Sequence, residues 1–445
     1  MAQTTPGQKS PAIEVAPLSA RRLYARPFNG LVAIHVSRKR LPPGASTTPW
    51  VSPMTGATAF LEWMRDRALP LWAAQGVDRV HGGFFEKLNA DGTPADLPRR
   101  ARVLGRQIYV FSRAPALGWT GPAEDIVNHG LDALPAFLRP DGLAHYRLDA
   151  KGQPLDDRPD LYDQAFVLFG LAHALPVAAD PERIRVIADT MRRALEDLRG
   201  HPVAGYEEDS PPSLPLKANP HMHLLEAALA WATALPTQDG GPWRDMADRI
   251  ARLALDRFVD PGTGAVREYY DGDWRALPHG AEPQIEPGHQ FEWGWLLTRW
   301  GHMRDHAGAV AAGRRLVDLG ETKGVDAARG VAFGGLGPDL EPTDTAARLW
   351  PQTERIKAWV QRRDRPTSAD ERSHAEGRIE AAVAGLMPYL RTDRPGLFHD
   401  RLTADGAFID EPAPASSLYH LMTAAEELAG TRPPDMTQGD QPSPA

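Results

Sequence analysis

Six apolar stretches of this chain carry polar or aromatic side chains that are costly to bury unless paired or used. They are Arg106, Asp163, His223 with Glu226, His289 with Glu292, Trp350 with Glu354, and His420. The leading members stand 57, 60, 66, 61 and 70 residues apart, which reads as an internal repeat of about 60 residues. In each His-x-x-Glu pair the two side chains share a helical face, where a carboxylate orients an imidazole and raises its pKa. Singly, each has a bland explanation. Asp163 suits the start of a helix dipole, Arg106 suits a paired core arginine, and Trp350 and Trp293 suit core positions. Together, three histidines at one helical depth point to a pocket. Three chemistries can use the set. Two His-x-x-Glu pairs resemble a reversed dinuclear metal centre, whose usual order is Glu-x-x-His. Glu226, Glu292 and Glu354 offer the paired carboxylates of a glycosidase. Two histidines titrating near neutrality on opposite sides of a substrate suit metal-free proton transfer next to a carbonyl, the reading that uses the most residues.

Helices must present these groups, and the periodicity predicts twelve, near 58–75, 99–115, 122–138, 160–176, 181–199, 220–235, 241–257, 287–304, 307–320, 344–361, 369–389 and 415–430. Alternate members differ. PERIRVIADTMRRALEDLR (181–199) has one charged face, whereas PGHQFEWGWLLTRWGHMR (287–304) is apolar almost all round, as a helix buried within protein is. GGFFEKLNADG, LAHYRLDAKG, AVREYYDGDW and LFHDRLTADG precede even-numbered helices and read as short hairpins with Asp-Gly or Lys-Gly tips. The expected fold is therefore all-α: an (α/α)6 barrel, six inner helices within six outer ones, with the hairpins at one mouth.

Composition narrows the function. With no cysteine among 445 residues, disulfides, thiolate metal sites and cysteine nucleophiles are excluded. Fifty basic against 58 acidic residues argues against nucleic-acid binding, and no apolar run is long enough to span a membrane. A cytoplasmic protein, monomer or homodimer, is expected. Residues 1–53 hold seven basic side chains and one acidic and read as an arm outside the fold, with Met54 as an alternative first residue. Residues 54–430 form the expected domain, and 431–445 read as a polar, Pro-rich disordered tail.

The strings LGRQIYVFS (104–112), LYDQAF (161–166), NPHMHLLEA (219–227), EPGHQFEWGWLL (286–297), RLWPQTE (348–354) and SSLYH (416–420) resemble, in order, the N-acylglucosamine 2-epimerase superfamily. The resemblance covers about residues 58–430 and implies an (α/α)6 barrel that moves protons at C1 and C2 of an opened aldose, with no metal and no cofactor. It makes His289 and His420 the acid/base pair, His223 a third active-site histidine, and Glu226 and Glu292 the acids beside them. Arg106 would face the substrate oxygens, with Trp350, Asp163, Glu354 and Trp293 as further sugar contacts. The GRQ-type motif and the single Trp350 (Leu349-Trp350 where disaccharide epimerases carry Trp-Trp) are similar to mannose or mannose-6-phosphate isomerases. His279 stands where some isomerases have an arginine. Arg99, Arg100 and Arg102 offer either a phosphate contact or a solvated basic face. The alternatives are an N-acylglucosamine 2-epimerase, a glycoside hydrolase on the same barrel, and a non-catalytic sugar-binding protein.

Overall fold

The computed structural model describes residues 55–236, 238–278 and 284–432. The arm over 1–53, Met54, His279 and the tail from 433 lie outside the described residues. Helix α1 (Thr55–Trp63) runs through a π-helical turn (Met64–Ala68) into α2 (Leu69–Gln75). There follow α3 (Ala101–Arg113), α4 (Ala123–Phe137), α5 (Leu161–Ala174), α6 (Pro181–Arg199) and α7 (Ala218–Ala234). The series continues with α8 (Gly241–Leu253), α9 (Pro287–Met303), α10 (Ala307–Lys323), α11 (Leu349–Asp364), α12 (Ala369–Leu386) and α13 (Ala415–Ala429).

Local chemistry sets several of these boundaries. Asp180 accepts the Arg183 N–H at 3.0 Å ahead of Pro181 at the first helical position of α6. Ser368 accepts the Glu371 N–H at 3.1 Å ahead of α12, in a Ser-x-x-Glu box.

The alternation in the sequence is an alternation in burial. Sixteen of the seventeen residues of α9 are buried, but only seven of the nineteen of α6, the apolar face its charged side chains leave. Helices α3, α5, α7, α9, α11 and α13 each pack on the next, and α13 packs back on α3. Outside them, α4, α6, α8, α10 and α12 lie against α3, α5, α7, α9 and α11, while α1 lies against α12 and α13. The α3–α5 approach is close enough that a Cβ on Gly105 would collide with the Phe166 carbonyl, and one on Gly170 with the Gly105 carbonyl. Among the described residues no helix is long and apolar enough to cross a membrane.

One hairpin forms as expected and three differ. Three of the four loops close on isolated bridges, Leu88 with Pro94, Tyr270 with Ala276 and Leu402 with Phe408, whereas the LAHYRLDAKG loop forms the expected hairpin, Arg147–Leu148 pairing with Pro154–Asp156 across the Lys-Gly tip. The other longer pairings join a loop to the strand that enters an inner helix: Lys87–Leu88 with Ala413–Pro414, Arg147–Leu148 with Arg99–Arg100, Tyr269–Tyr270 with Leu216–Lys217, and Arg401–Leu402 with Ala347–Arg348. Loop carbonyls then accept the first N–H of the helix. Glu86 O accepts from Ala415 (2.9 Å), Glu268 O from Ala218 (3.1 Å) and Asp400 O from Leu349 (2.9 Å), which satisfies donors a helix start leaves open. At the tips Gly92, Gly152 and Gly406 take positive φ, but in AVREYYDGDW the left-handed residue is Trp274 (φ 60°), not Gly272. Helix α11 begins at Leu349 and not near 344, because Pro342–Arg348 is a strand pairing with Val331–Leu336. At the other end Thr431 and Arg432 belong to the fold, two residues beyond the expected boundary. The Thr431 carbonyl accepts from Arg113 at 2.9 Å, and Arg432 stacks on Trp295 at 4.4 Å.

Candidate active site

Four of the six inner helices, α5, α7, α9 and α11, are each pinned to a preceding segment by one side chain, and these pins set the register of the site. Gln164, Gln290 and Gln352 each donate to and accept from one loop residue, Ala144, Val266 and Ala332 respectively, at 2.7–3.1 Å. In α7 His221 does this work, with Nδ1 donating to Lys217 O (2.9 Å) and Nε2 accepting the Tyr206 N–H (3.0 Å). Counted from the pins, Asp163 and His289 stand one residue before, whereas His223, Glu292 and Glu354 stand two after. The histidines therefore do not share one depth: His223 lies three residues, about 4.5 Å, further along its helix axis.

The mouth ends of the inner helices enclose a cavity of about 530 Å³, its opening included. Arg106, His223, His289, Glu292, Trp350 and His420 line it, together with Tyr162, Asn219, Glu286, Arg348, Ser416 and Ser417. Trp350 packs against both outer histidines, its ring centroid 5.0 Å from His289 and 5.7 Å from His420. Arg106 donates to Tyr162 Oη (2.7 Å) and to Ser416 O (3.2 Å) and lies 3.8 Å from the centroid of the Phe166 ring, while its Nε–H has no partner.

Each histidine turns Nδ1 to a carboxylate and leaves Nε2 for the cavity. His289 meets Glu268 at 2.9 Å, with Glu286 4.0 Å away. His420 meets Glu354 at 2.8 Å, and the other oxygen of Glu354 lies 2.6 Å from Lys357 Nζ. His223 meets Glu226 at 3.4 Å, with Glu292 at 3.8 Å; Glu226 also accepts from the Tyr419 hydroxyl.

These surroundings separate the protonation states. Burial alone would lower His289, but the carboxylates of Glu268 and Glu286 outweigh it and hold its pKa up at about 10. Burial drives His420 well below its ordinary value, and the cations Arg106 and Lys357 add to that. Burial also lowers His223, to about 4, against the pull of Glu226. Burial and the nearby Glu354 hold Glu292 well above the usual carboxylate range. Near neutral pH the cavity thus presents an imidazolium at His289, free bases at His420 and His223, and a protonated Glu292 that can donate a hydrogen bond.

Several expectations need correction. Glu292 does not orient His289; Glu268, from the loop before α9, does. Asp163 is absent from the cavity, because its carboxylate accepts the Arg102 backbone N–H (2.7 Å) and guanidinium (3.0 Å); burial, with Arg102 opposing, raises it to about 7. Trp293 is core, 5.7 Å from the centroid of Phe258. Glu226 and Glu354 stand behind the cavity wall, acting through His223 and His420. Arg99, Arg100 and Arg102 form neither a phosphate contact nor a solvated face, since Asp78, Glu86 and Asp163 hold them. The residues missed from sequence are Glu268, Tyr162, Asn219, Glu286, Arg348, Ser416 and Ser417. For Glu268 a signal existed: Glu86, Tyr146, Glu268 and Asp400 occupy one equivalent loop position, and three of the four are acidic.

Three groups bring possible metal ligands within 4.8 Å of one another: His223, Glu226 and Glu292; Glu268, Glu286 and His289; Glu292, Glu354 and His420. Their donor chemistry fits a metal poorly. In each the imidazole nitrogen already faces a carboxylate, and in the third the Lys357 ammonium takes up the charge of Glu354.

The family model described as N-acylglucosamine 2-epimerase (GlcNAc 2-epimerase) matches residues 83–424. The chain is 42% identical over 370 residues to a mannose-6-phosphate isomerase of Rhizobium meliloti (strain 1021), covering 82% of this chain and 95% of that protein. It is 24% identical over 325 residues to a D-mannose isomerase of Marinomonas mediterranea (strain ATCC 700492 / JCM 21426 / NBRC 103028 / MMB-1), covering 69% and 81%. A crystal structure of D-mannose isomerase superposes with a TM-score of 0.76 at 22% identity, over 86% of this chain and 100% of that one, a likeness of fold.

Proposed function

From the premise that this chain belongs to the N-acylglucosamine 2-epimerase family, we propose that it is an aldose–ketose isomerase on an (α/α)6 barrel, interconverting mannose or mannose 6-phosphate with the corresponding fructose. The carrying observation is the pair of cavity-lining histidines in contact with Trp350, one held as a cation and one as a free base. The similarity to a mannose-6-phosphate isomerase over most of both chains supports the substrate class.

The steps follow from the groups present. With the sugar open, His420 takes the C2 proton, the C2 electron pair forms the C1–C2 double bond, and O1 receives a proton from His289. Arg106 donates to the oxygens on which charge develops. His420 then delivers its proton to C1 while His289 recovers one from O2, leaving the ketose and both histidines as they began. Glu292, being protonated, donates to a sugar hydroxyl, and Trp350 supplies an apolar face for the ring. Asp163 and Trp293 have no part in this scheme.

Isomerisation and 2-epimerisation share the loss of the C2 proton and differ in where a proton returns, so the 2-epimerase is the second reading. Mannose, mannose 6-phosphate, N-acetylglucosamine and cellobiose should each be incubated in D2O and followed by NMR, with and without exhaustive chelation. A ketose from one of the mannose substrates, deuterated at C1 and formed at the same rate after chelation, is expected. An inverted aldose deuterated at C2 with no ketose would transfer the assignment to the epimerase. Loss of rate on chelation, restored by a divalent ion, would revive the metal reading.

A further inference from the structure

The two outer histidines are built alike, each with a carboxylate on Nδ1 at 2.8–2.9 Å, yet the proposed scheme needs them to differ. The difference lies one layer behind them. Among the described residues no lysine or arginine pairs with Glu268, whereas Lys357 Nζ sits 2.6 Å from Glu354. Lys357 is fully buried and lies 4.1 Å from the centroid of Trp295 on α9. An ammonium withdrawn from water to this extent is retained only if its charge is used.

We infer that Lys357 is a positioning residue that keeps His420 a base: by ion-pairing Glu354, it lets that carboxylate orient the imidazole without converting it to imidazolium. The inference rests on the proposed function for its catalytic meaning but not for its electrostatics. The groups around His420 are Glu354, Lys357 and Trp350 from α11, Arg106 from α3, His223 and Glu226 from α7, Glu292 from α9, and Tyr419 beside it. Arg106 faces the cavity and is shared with Tyr162 and Ser416, and Glu292 holds its proton. Lys357 is thus the cation in contact with the carboxylate on His420.

Lys357→Met keeps an unbranched apolar stem over Trp295 and removes the charge. Glu354 then acts on His420 as Glu268 acts on His289, and His420 takes up a proton. The acid limb of the kcat/KM profile should move up by at least about one pH unit, a loss of about tenfold on that limb, with the high-pH plateau kept. In resting enzyme labelled with 15N-histidine, one imidazole assigned to His420 should change from neutral to imidazolium near pH 7. Lys357→Arg should restore the wild-type limb and signal. The charge-balanced Lys357→Met/Glu354→Gln double variant should return His420 to neutral, which covers the case in which the single variant does not fold. An unchanged 15N titration in either soluble variant series, or a uniform loss of rate across pH, would overturn the inference. Because that titration needs no substrate, a wrong sugar assignment leaves it readable, and a failure of Lys357 leaves isomerisation by the wild type intact.

Discussion

Replacing Glu268 by Gln keeps an oxygen to receive the Nδ1–H of His289 and removes only the charge that holds the ring protonated. The contact is 2.9 Å and both partners are buried. Removing one partner of such a pair costs about 3–5 kcal/mol, which at 1.36 kcal/mol per unit is about 2–3.5 pKa units. The His289 pKa of about 10 should therefore fall to about 6.5–8, with Glu286, 4.0 Å away, supporting what remains. If His289 must begin as the acid, kcat/KM falls as pH rises through its pKa. The alkaline limb of the variant should then lie at least about two units below that of the wild type, so activity drops tenfold or more at about pH 9 and changes little at about pH 6. Fructose formation from a mannose substrate, read against enzyme-free blanks that subtract base-catalysed isomerisation, measures it. Stability carries the same sign. The folded-state pKa exceeds the ordinary 6.5, so the contribution is complete below about pH 6.5 and fades as pH climbs towards 10. The gap in melting temperature between wild type and variant should narrow across that window. A variant slowed by one factor at every pH, its limb unmoved, would show that Glu268 only aims the ring and would refute the charge argument.

Five other substitutions and one shortened chain separate roles the sequence left mixed. His289→Ala and His420→Ala should each lower turnover by at least about 10²-fold, and His420→Ala should also abolish exchange of the C2 proton with D2O by NMR. Asp163→Asn should lower the thermal midpoint through loss of about 3 kcal/mol of its contacts with Arg102, with KM unaltered; a raised KM would return Asp163 to the sugar site. Trp350→Ala should raise KM several-fold, whereas Trp293→Phe should alter only the melting temperature. A chain beginning at Met54 should fold and isomerise like the full chain, and loss of activity on deleting residues 1–53 would contradict the domain boundary proposed from charge and composition.

What could be read from the sequence was whatever burial alone imposes. A helix that must be apolar all round and one that needs a single apolar face differ in every turn, so α5 and α9 were distinguishable from α6 and α8. Polar side chains in the apolar helices identified Arg106, His289 and His420 without coordinates. Partnership was not readable, because it depends on which loop meets which helix. Asp163 has the same local sequence whether it binds sugar or Arg102, and Arg102 is 61 residues away. Glu268 lies in a string that reads as a short hairpin, with nothing local to tie it to His289. Depth was misjudged for a related reason. A repeat of about 60 residues locates a helix, but a two-residue offset from its pin decides the turn, and His221, not His223, is the residue equivalent to Gln164, Gln290 and Gln352.

The position of α13 in the chain has a consequence for biosynthesis. It is last in sequence among the described helices, yet it fills the gap between α11 and α3, and its entry strand pairs with Lys87–Leu88, more than 300 residues upstream. A nascent polypeptide still lacking residues 415–429 leaves the facing flanks of α3 and α11 uncovered, an exposure that chaperones and proteases act upon. The same fifteen residues bring His420, the proposed base. Closure and competence therefore arrive in one event, so truncated products of translation should be inert and prone to clearance, never partly active. Contacts that span so much sequence also make this last step slow relative to formation of the local helix pairs, and the rate at which active enzyme appears during synthesis should follow the docking of α13.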